Sequence, residues 1–338
     1  MTLGFKILYN WCKDSDRMAI KKTINTKKLS NKPLLFQTSI DNTIEERIAA
    51  IYQETETLDV RSSNSITSTS NFTPIDSKSI SNLPDTSKIK KAAIKYKDEL
   101  ANAYRSYISD DMLVIVNKQK VSGQDVLVTH VVLADGSQIN GAPANGSYGN
   151  GLEKATDAAK RLNCPLVING SHFTSSGKED LKGANHVAIV DGQIKTDGRS
   201  GGQELLLDKN GRIYNSYNSS ATDLVNNGVK YSFACHSTQV IENGDISHSY
   251  NEPRSYKRTT MGQTQDGEYY IVTDMTYNNV LSNTAQFLKS KGCVNAYSLD
   301  QGGSVSLVLN GELLNNPSDS SGERAVGDFI TFSDLQQV

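Results

Sequence analysis

The hydrophobic period of the chain changes near residue 111, and this change constrains the fold more than any other feature. The segment 88–109 places apolar residues three or four positions apart, which predicts an amphipathic helix. The runs MLVIV (112–116) and VLVTHVVL (126–133) are instead rich in β-branched residues, which is typical of strands. A helical segment is therefore followed by a part of the chain built mainly from strands.

Beyond residue 133, strand patterns outnumber helical ones. Helices are predicted at 151–163 and 281–292, the second with Ser282 as a possible cap and Gly292 at its end. Asn210-Gly211 is typical of a hairpin turn. Strands are predicted at 165–170, 268–275 and 293–299. Because helices and strands do not alternate regularly, we predict an α+β fold with a mixed β-sheet core and packed helices, preceded by a helical and irregular N-terminal region.

The chain before the strand-rich part divides into three predicted segments. Residues 1–61 are a basic arm and a short helix, because Lys and Arg outnumber Asp near the start and helical spacing follows. Residues 62–87 are so rich in Ser, Thr and Asn that we predict a linker. Residues 88–111 are the helix that leads into the domain, and residues 112–338 form the principal folded domain.

Composition narrows the classes of partner. A formal net charge of −2 gives no electrostatic reason to bind nucleic acid, and we expect none. No stretch approaches the roughly 20 continuous apolar residues of a membrane-spanning helix, so no transmembrane segment is expected. The first residues also lack the continuous apolar stretch of a secretory signal, which permits a cytoplasmic location. The oligomeric state is left open by the sequence.

Cysteine and metal motifs are sparse. Cys12, Cys164, Cys235 and Cys293 are far apart with no C-x-x-C pair, which favours buried free thiols. No H-E-x-x-H motif or D-x-D-x-D-G loop is present, so we expect no metal site and no required cofactor. Calcium in a carboxylate-rich cleft is the alternative. His130, alone in a predicted strand, is interpreted as structural.

A predicted strand runs directly into a turn that can bind an anion. The strand 293–299 is followed by Asp300, Gln301, Gly302, Gly303 and Ser304. Adjacent glycines permit positive φ angles and close approach of a ligand, and successive N–H groups with a serine hydroxyl form a small anion nest. Phosphate is the ligand that this turn suits best. Guanidinium groups for planar phosphate contacts are available at Arg258 and Arg324.

Four ordered blocks of sequence resemble a known family. They are INGSHF (168–173), FACHSTQVIENGDI (233–246), KRTTMGQTQDGEYYIVTDM (257–275) and NAYSLDQGGSVSLVLNGELLNNPSDSSGER (295–324). In this order they resemble the phosphodiester glycosidase family, and the resemblance covers about residues 112–338. It implies a hydrolase that cleaves the C1–O bond of a sugar-1-phosphodiester in a glycan or sugar-phosphate conjugate. It also implies a secreted or cell-surface location, with bacterial members associated with exopolysaccharide and the cell envelope.

The implied reaction divides the candidate residues into roles. A departing phosphate needs cations and N–H groups, and an oxocarbenium-like carbon needs a carboxylate. Asp300 or Asp274 is therefore the candidate nucleophile or base, with Glu323 as a reserve acid–base group. The candidate phosphate-binding residues are Arg258, Gly302, Gly303, Ser304 and Arg324, and those on the sugar side are Asn169, Gly170 and His172.

Three positions depart from the family pattern and keep alternatives open. Ser171, Gln301 and Met275 replace the residues usual in the corresponding blocks. One alternative is a phosphodiesterase that breaks the P–O bond of a nucleotide-like or teichoic-acid-like diester. Another is a non-catalytic module that binds sugar phosphates.

Overall fold

The structure is a computed structural model, and it describes residue 83 and residues 87–179, 186–200, 204–235, 239–247, 256–277 and 279–335. The predicted basic arm, the short helix after it and Cys12 lie outside the described residues, as does nearly all of the predicted linker. The boundaries assigned to those segments stay predictions.

The described elements are five α-helices and eighteen strands. The helices are α1 (Lys88–Lys95), α2 (Lys97–Ala101), α3 (Ala155–Leu162), α4 (Ala221–Asn226) and α5 (Leu281–Ser290). The strands are β1 (Arg105–Ile108), β2 (Met112–Val121), β3 (Gln124–Leu133), β4 (Ile139–Pro143), β5 (Leu166–Asn169), β6 (Ala188–Val190), β7 (Gln193–Thr196), β8 (Glu204–Asp208), β9 (Ile213–Tyr214), β10 (Val229–Ala234), β11 (Gln239–Glu242), β12 (Asp245–Ile246), β13 (Arg258–Thr264), β14 (Tyr269–Asp274), β15 (Cys293–Gln301), β16 (Leu307–Leu309), β17 (Glu312–Leu313) and β18 (Asp328–Phe332). The α+β prediction is confirmed.

The strands form two large and two small antiparallel sheets. The largest has eight strands in the order β1-β2-β3-β14-β13-β15-β11-β12, and the second has five in the order β17-β16-β5-β18-β4. A three-stranded sheet, β10-β8-β9, and the hairpin β6-β7 complete the set. Pairs such as β14 with β3 and β18 with β5 join strands that are far apart in sequence.

The main core draws side chains from both large sheets and from the three-stranded sheet. Met112 and Ile271 come from the eight-stranded sheet, Ile168 and Phe332 from the five-stranded sheet, and Leu205 from the small one. All five are at most 2% exposed. A second cluster lies under α5, whose Leu281, Ala285 and Leu288 pack on the eight-stranded sheet. Because apolar burial stabilises in proportion to the area removed from water, these layers hold the strand ends in place.

Two local predictions need correction. The predicted helix 88–109 ends early: it breaks at Tyr96 between α1 and α2, and Arg105–Ile108 form β1 instead. The reason is pairing, since β1 lies antiparallel to β2 and the amide of Tyr104 donates to the carbonyl of Val116 (2.7 Å). The predicted cap Ser282 lies inside α5, which begins at Leu281 and has no side-chain cap.

Other local predictions are confirmed. Strands occupy the predicted regions around residues 165–170, 268–275 and 293–299, and helix α3 lies within 151–163. Gly292 ends α5 with a φ of +84°, and Gly211 turns the hairpin β8–β9 with a φ of +77°. Cys164, Cys235 and Cys293 are free and buried, as predicted for the described cysteines.

The strand ends of the two large sheets meet at one place. Asp300, near the end of β15 in the eight-stranded sheet, donates its amide to the carbonyl of Gly170 (3.1 Å), just after β5 of the five-stranded sheet. Gly170 in turn donates its amide to the carbonyl of Asp328 (3.2 Å), the first residue of β18. A Cβ at Gly170 would clash with the carboxylate of Asp328, so a glycine is needed for this approach. The junction brings carboxylates from two sheets into one site.

Candidate active site

Asp300 lies at the centre of this junction. It is buried, and its Oδ1 accepts a hydrogen bond from the amide of Gln301 (2.8 Å) and lies 3.9 Å from Nε2 of His172. Burial raises the pKa of Asp300, while hydrogen bonds from Ser304 and Gln301 and the charges of His172 and Arg324 oppose the rise. The result is a carboxylate with few water neighbours that faces an imidazole and a guanidinium.

The Gly302–Ser304 turn follows as a single 3-10 turn. Gly302 has a φ of +70°, which favours glycine, and its amide donates to the carbonyl of Lys257 (2.9 Å). A Cβ at Gly303 would clash with Asp319 and with the guanidinium of Arg324. The bare backbone of this turn is therefore covered by the carboxylate of Asp319 and the guanidinium of Arg324 together.

Arg324 is fixed over the turn by a two-point ion pair. Its Nε and Nη2 donate to the carboxylate of Asp319 at 2.8 and 2.9 Å, and Nη1 lies 3.5 Å from Oγ of Ser304. The side chain remains 43% exposed, so its outer edge can meet a ligand. A planar guanidinium held in this way suits bidentate contact with phosphate oxygens.

Asp328 is a second carboxylate of the site, and sequence reasoning missed it. Its two oxygens accept from the amide and the hydroxyl of Ser171, both at 2.6 Å. Burial raises the pKa of Asp328 to about 7, and the charges of Glu179 and Asp300 raise it further, against the two hydrogen bonds from Ser171. Near neutral pH this group therefore holds a proton in a large fraction of molecules, in contrast to an ordinary aspartate.

Ser171, one of the departures from the family pattern, has a definite role here. Its hydroxyl donates to Asp328 and accepts a hydrogen bond from the amide of Ala234 (3.1 Å), and the side chain is 2% exposed. The next residue, His172, donates its amide to the carbonyl of Ala234 (2.9 Å). These bonds fix the segment that carries both residues against the end of β10.

Glu179 and Tyr148 extend the site, and neither was predicted. Glu179 is 8% exposed, and burial raises its pKa, with partial opposition from a hydrogen bond with Tyr148 and from the charge of His186. The charges of Glu179 and Asp328 in turn raise the pKa of the Tyr148 hydroxyl, although burial is the larger cause. Three acidic side chains thus act on one another in this corner of the site.

Asn169 lies behind Asp300. It is fully buried: its Nδ2 donates to the carbonyl of Asp300 (2.9 Å), and its Oδ1 accepts from the hydroxyl of Thr259 (2.8 Å) and the amide of Ser306 (3.1 Å). These contacts join the ends of three strands. Asn169 therefore holds the backbone of Asp300 in place, and its predicted position on the sugar side stays a prediction.

Arg258 and Asp274 form a second buried cluster at the same edge of the eight-stranded sheet. Both are 3% exposed, and the guanidinium of Arg258 donates to the carbonyl of Asn279 (2.8 Å). Asp274 accepts from the amide of Arg258 (3.1 Å) and from Nδ2 of Asn279 (2.8 Å). Burial raises the pKa of Asp274 to about 6, against the hydrogen bonds from Asn279 and Arg258 and the charges of Arg258 and Lys257. Their predicted phosphate-binding and catalytic roles stay predictions.

Glu323 is placed at the start of α3. Its two carboxylate oxygens accept from the amide (3.0 Å) and the hydroxyl (2.7 Å) of Thr156. A carboxylate in the first turn satisfies a backbone donor there and complements the helix dipole. The structure therefore gives Glu323 a helix-capping position, while the acid–base role predicted from the sequence stays a prediction.

Among the described residues, no group of three or more His, Cys, Asp or Glu side chains is arranged to hold a metal ion. Within the same residues, no helix is long and apolar enough to cross a membrane.

The comparison with known protein families assigns the chain to a class. The sequence model of the phosphodiester glycosidase family matches residues 163–333, half of the chain, and the chain belongs to that family. The resemblance found in the sequence blocks is thereby confirmed.

Two curated relatives are similar over part of their length. SPbeta prophage-derived uncharacterized protein YomE of Bacillus subtilis (strain 168) is 28% identical over 204 residues, which are 54% of this chain and 30% of that protein. The mouse (Mus musculus) N-acetylglucosamine-1-phosphodiester alpha-N-acetylglucosaminidase is 29% identical over 196 residues, 48% of this chain and 35% of that protein. The matched region spans about a third of the length of these relatives.

Among solved structures, the chain is similar to the catalytic domain of zebrafish N-acetylglucosamine-1-phosphodiester alpha-N-acetylglucosaminidase, auto-inhibited by its pro-peptide. The TM-score is 0.54 at 20% identity, over 67% of this chain and 83% of that one. At this identity the likeness concerns the fold.

Proposed function

We propose that the protein hydrolyses the C1–O bond of a sugar-1-phosphodiester and releases a free sugar and a phosphomonoester. The observation that carries the proposal is the junction of Asp300 and Asp328 with His172, beside a Gly-Gly-Ser turn covered by Arg324. The junction brings carboxylates and a guanidinium close together, and cleavage next to a phosphate requires groups of both kinds.

The phosphate side of the reaction is assigned to Arg324 and the turn. The leaving phosphomonoester gains a full negative charge when the C1–O bond breaks, and its conjugate acid is already strong, so it needs charge stabilisation more than protonation. The guanidinium of Arg324 and the amides of Gly303 and Ser304 are the assigned donors. Gly302 contributes the turn geometry, because its own amide is bonded to Lys257.

The sugar side is assigned to the two aspartates. Asp300 acts on the anomeric carbon, either as a nucleophile that displaces the phosphate or as the base that takes a proton from the attacking water. In both cases the electron pair of the C1–O bond leaves with the phosphate oxygen, and a water supplies the new hydroxyl of the sugar. Asp328, with a pKa near 7, is suited to exchange that proton.

The finer substrate class follows from the family and its relatives. The mouse relative's name specifies N-acetylglucosamine, and we propose an α-linked hexosamine or hexose at C1 for this chain. The bacterial members of the family suggest an exopolysaccharide or other cell-envelope glycan. The proposed location is therefore outside the cell.

The test is a kinetic comparison on the methyl ester of α-N-acetylglucosamine 1-phosphate. We expect release of N-acetylglucosamine by the wild type and at least a roughly 1,000-fold lower kcat for Asp300→Asn. Asp245→Asn is the matched control, because Asp245 is exposed on β12. Wild-type turnover that survives in Asp300→Asn would remove Asp300 from the chemistry, and tight binding without turnover would indicate a binding module instead.

A further inference from the structure

A half-exposed tyrosine lies against the turn to which the phosphate is assigned. The side chain of Tyr256 is 51% exposed, and a Cβ at Gly302 would stand 3.7 Å from Cδ1 of its ring, an ordinary van der Waals distance. The ring therefore borders the turn on the side of Gly302 and also meets solvent. An aromatic ring left in water beside an anion site is a surface that a ligand can cover.

The residue after Tyr256 is fixed at both its backbone and its side chain. Lys257 is 5% exposed, its carbonyl accepts from the amide of Gly302 (2.9 Å), and its Nζ donates to the carbonyl of Asn316 (2.9 Å). The same Nζ lies 5.3 Å from the ring centroid of Tyr277, which is 47% exposed. The backbone beside Tyr256 is thus held to the turn, and a second exposed tyrosine lies near the same lysine.

The neighbours of the turn suit different parts of a phosphodiester. Asp300, assigned to the anomeric carbon, precedes the turn, and the guanidinium of Arg324, assigned to the phosphate, lies over Gly303. Tyr256 borders the turn at Gly302 and has no charge to offer the phosphate. The part of the substrate left for Tyr256 is the group on the other ester oxygen of the phosphate, which is the aglycone.

The chemistry of the two tyrosines selects the kind of aglycone. A pyranose has a face of C–H groups, which packs on an aromatic ring, and an edge of hydroxyls, which can pair with phenol hydroxyls. An acyl chain has no group that can pair with a phenol hydroxyl. We propose that Tyr256 is a specificity-determining residue whose ring stacks on a pyranose of the aglycone, next to the phosphate. This inference rests on the proposed function and names the leaving group that the site recognises.

A kinetic comparison on two substrates tests the contact. One is the methyl ester of α-N-acetylglucosamine 1-phosphate, and in the other the methyl group is replaced by methyl α-glucopyranoside joined through its O6. The ratio of variant to wild-type kcat/KM is taken for each substrate, so that differences in their intrinsic reactivity cancel. We expect Tyr256→Ala to lose about 10- to 50-fold more on the glucoside ester than on the methyl ester, because only the glucoside has a ring to stack. Tyr256→Phe keeps the aromatic ring and should recover most of the loss.

Controls separate this inference from stability and from the proposed function. Tyr217→Ala removes a tyrosine that is 80% exposed between β9 and α4, and it should not distinguish the two substrates. Equal losses on both substrates for Tyr256→Ala would overturn the stacking contact. An equally large loss on the hexyl ester would overturn the assignment of a pyranose, because any apolar group would then serve.

A binding measurement decides the inference if the wild type turns over neither substrate, in which case the proposed function fails. Calorimetry compares methyl α-glucopyranoside 6-phosphate with methyl phosphate, the two phosphomonoesters that the substrates would release. Tighter binding of the glucoside by the wild type, lost in Tyr256→Ala, would support the Tyr256 contact. No preference for the glucoside, or a preference that Tyr256→Ala keeps, would overturn it.

Discussion

At the scale of single residues, the site places two aspartates in different surroundings at the same strand junction. Asp300 faces His172 and Arg324, which favour its charged form, whereas Asp328 is held among Glu179, Asp300 and the donors of Ser171. Burial raises the pKa of both carboxyl groups, and the groups that oppose the rise differ between them. The difference depends on environment rather than on residue type.

The raised pKa of Asp328 predicts a pH-dependent stability cost. With a native pKa of about 7 and an unfolded value of about 3.9, the native state binds more protons than the unfolded state between these limits. The free energy of unfolding therefore decreases as pH rises from about 4 to about 7. Asp328→Asn removes this titration, so its stability relative to the wild type should rise by roughly 2–4 kcal/mol between pH 4 and pH 8.

Urea unfolding at the two pH values, followed by fluorescence, measures this difference. The catalytic activity of Asp328→Asn should fall even at the pH where its relative stability has risen. The loss of activity is then not a loss of folding. A constant offset between variant and wild type across the pH range would show that Asp328 has an ordinary pKa.

Part of this site could be predicted from the sequence. Asp300, Gly302, Gly303 and Ser304 were accessible because they are adjacent in sequence and follow a readable strand. Asp328 was not, since its partner Ser171 is 157 residues away and only the pairing of β18 with β5 brings them together. Glu179 was missed for the same reason: its partner Tyr148 lies on another loop.

At the scale of elements, a buried histidine joins the helices α1 and α2 to the large sheet. His130 on β3 is fully buried; its Nδ1 lies 3.2 Å from Glu99 of α2 and its Nε2 3.1 Å from Glu268, just before β14. Tyr96 donates to the same Glu268 oxygen (2.6 Å), and Tyr270 stacks on the imidazole with ring centroids 4.2 Å apart. Both ring nitrogens can donate only when the imidazole is protonated.

The pKa shifts of His130 and Glu268 define the pH range in which this cluster stabilises the protein. Burial lowers the pKa of His130, but hydrogen bonds and charges of Glu268 and Glu99 outweigh burial and raise it. The stabilisation that His130 provides is therefore complete below about pH 6.5 and is lost as the pH rises through the native pKa. The pKa of Glu268 falls to about 2, against burial, through His130, Tyr96 and Lys95. The stabilisation that Glu268 provides is complete above about pH 4.3 and is lost as the pH falls towards 2.

Glu268→Gln should therefore destabilise the protein most between about pH 4.5 and 6.5, by about 1.5–3 kcal/mol. Chemical denaturation across pH measures the difference from the wild type. Glu312→Gln, which breaks the surface pair with Arg105, is the control and should cost less than about 1 kcal/mol at every pH. Equal effects of the two substitutions would contradict a charged His130 cluster.

Glu323 allows a second test at the element scale. Because its carboxylate accepts from the amide and hydroxyl of Thr156 at the start of α3, Glu323→Ala should cost about 0.5–2 kcal/mol of stability. A loss of kcat/KM of more than about 100-fold at full folding would support the predicted acid–base role. A kcat/KM within about threefold of the wild type would instead show that Glu323 only caps the helix.

Helices and strands could be predicted from the sequence where the hydrophobic period agreed with the residues that end an element. α5 and β15 were both anticipated, because an apolar helical stripe ends at Gly292 and a β-rich run follows. β1 was missed because Tyr104 and Tyr107 continue the helical stripe of α1, although they fit a strand equally well. Only the neighbouring strand β2 decides between the two.

At the scale of the whole molecule, the candidate active site lies where two sheets meet, and both sheets pair strands that are far apart in sequence. The sequence indicated the α+β class but not the strand order, since β3 pairs with β14 and β5 with β18 across long stretches of chain. Such pairings depend on side-chain packing across the core, for which a single sequence carries no direct signal.

This arrangement predicts where the folded domain begins. Ile89, Ala93 and Leu100 of α1 and α2 are buried, α1 packs on β2 and β3, and Glu99 contacts His130. A fragment of residues 87–338 should therefore melt roughly 10 °C or more above a fragment of residues 112–338, which was the predicted start of the domain. Calorimetry of both fragments checks the expectation, and equal melting temperatures would contradict it.

The central claim is that Asp300 acts at the anomeric carbon and the turn beside it holds the departing phosphate. Hydrolysis of the methyl ester of α-N-acetylglucosamine 1-phosphate in ¹⁸O-labelled water, read by ³¹P NMR and mass spectrometry, tests it most directly. The account predicts label in the sugar and none in methyl phosphate, with turnover lost in Asp300→Asn. Label in the phosphate would mean P–O cleavage and would contradict the account.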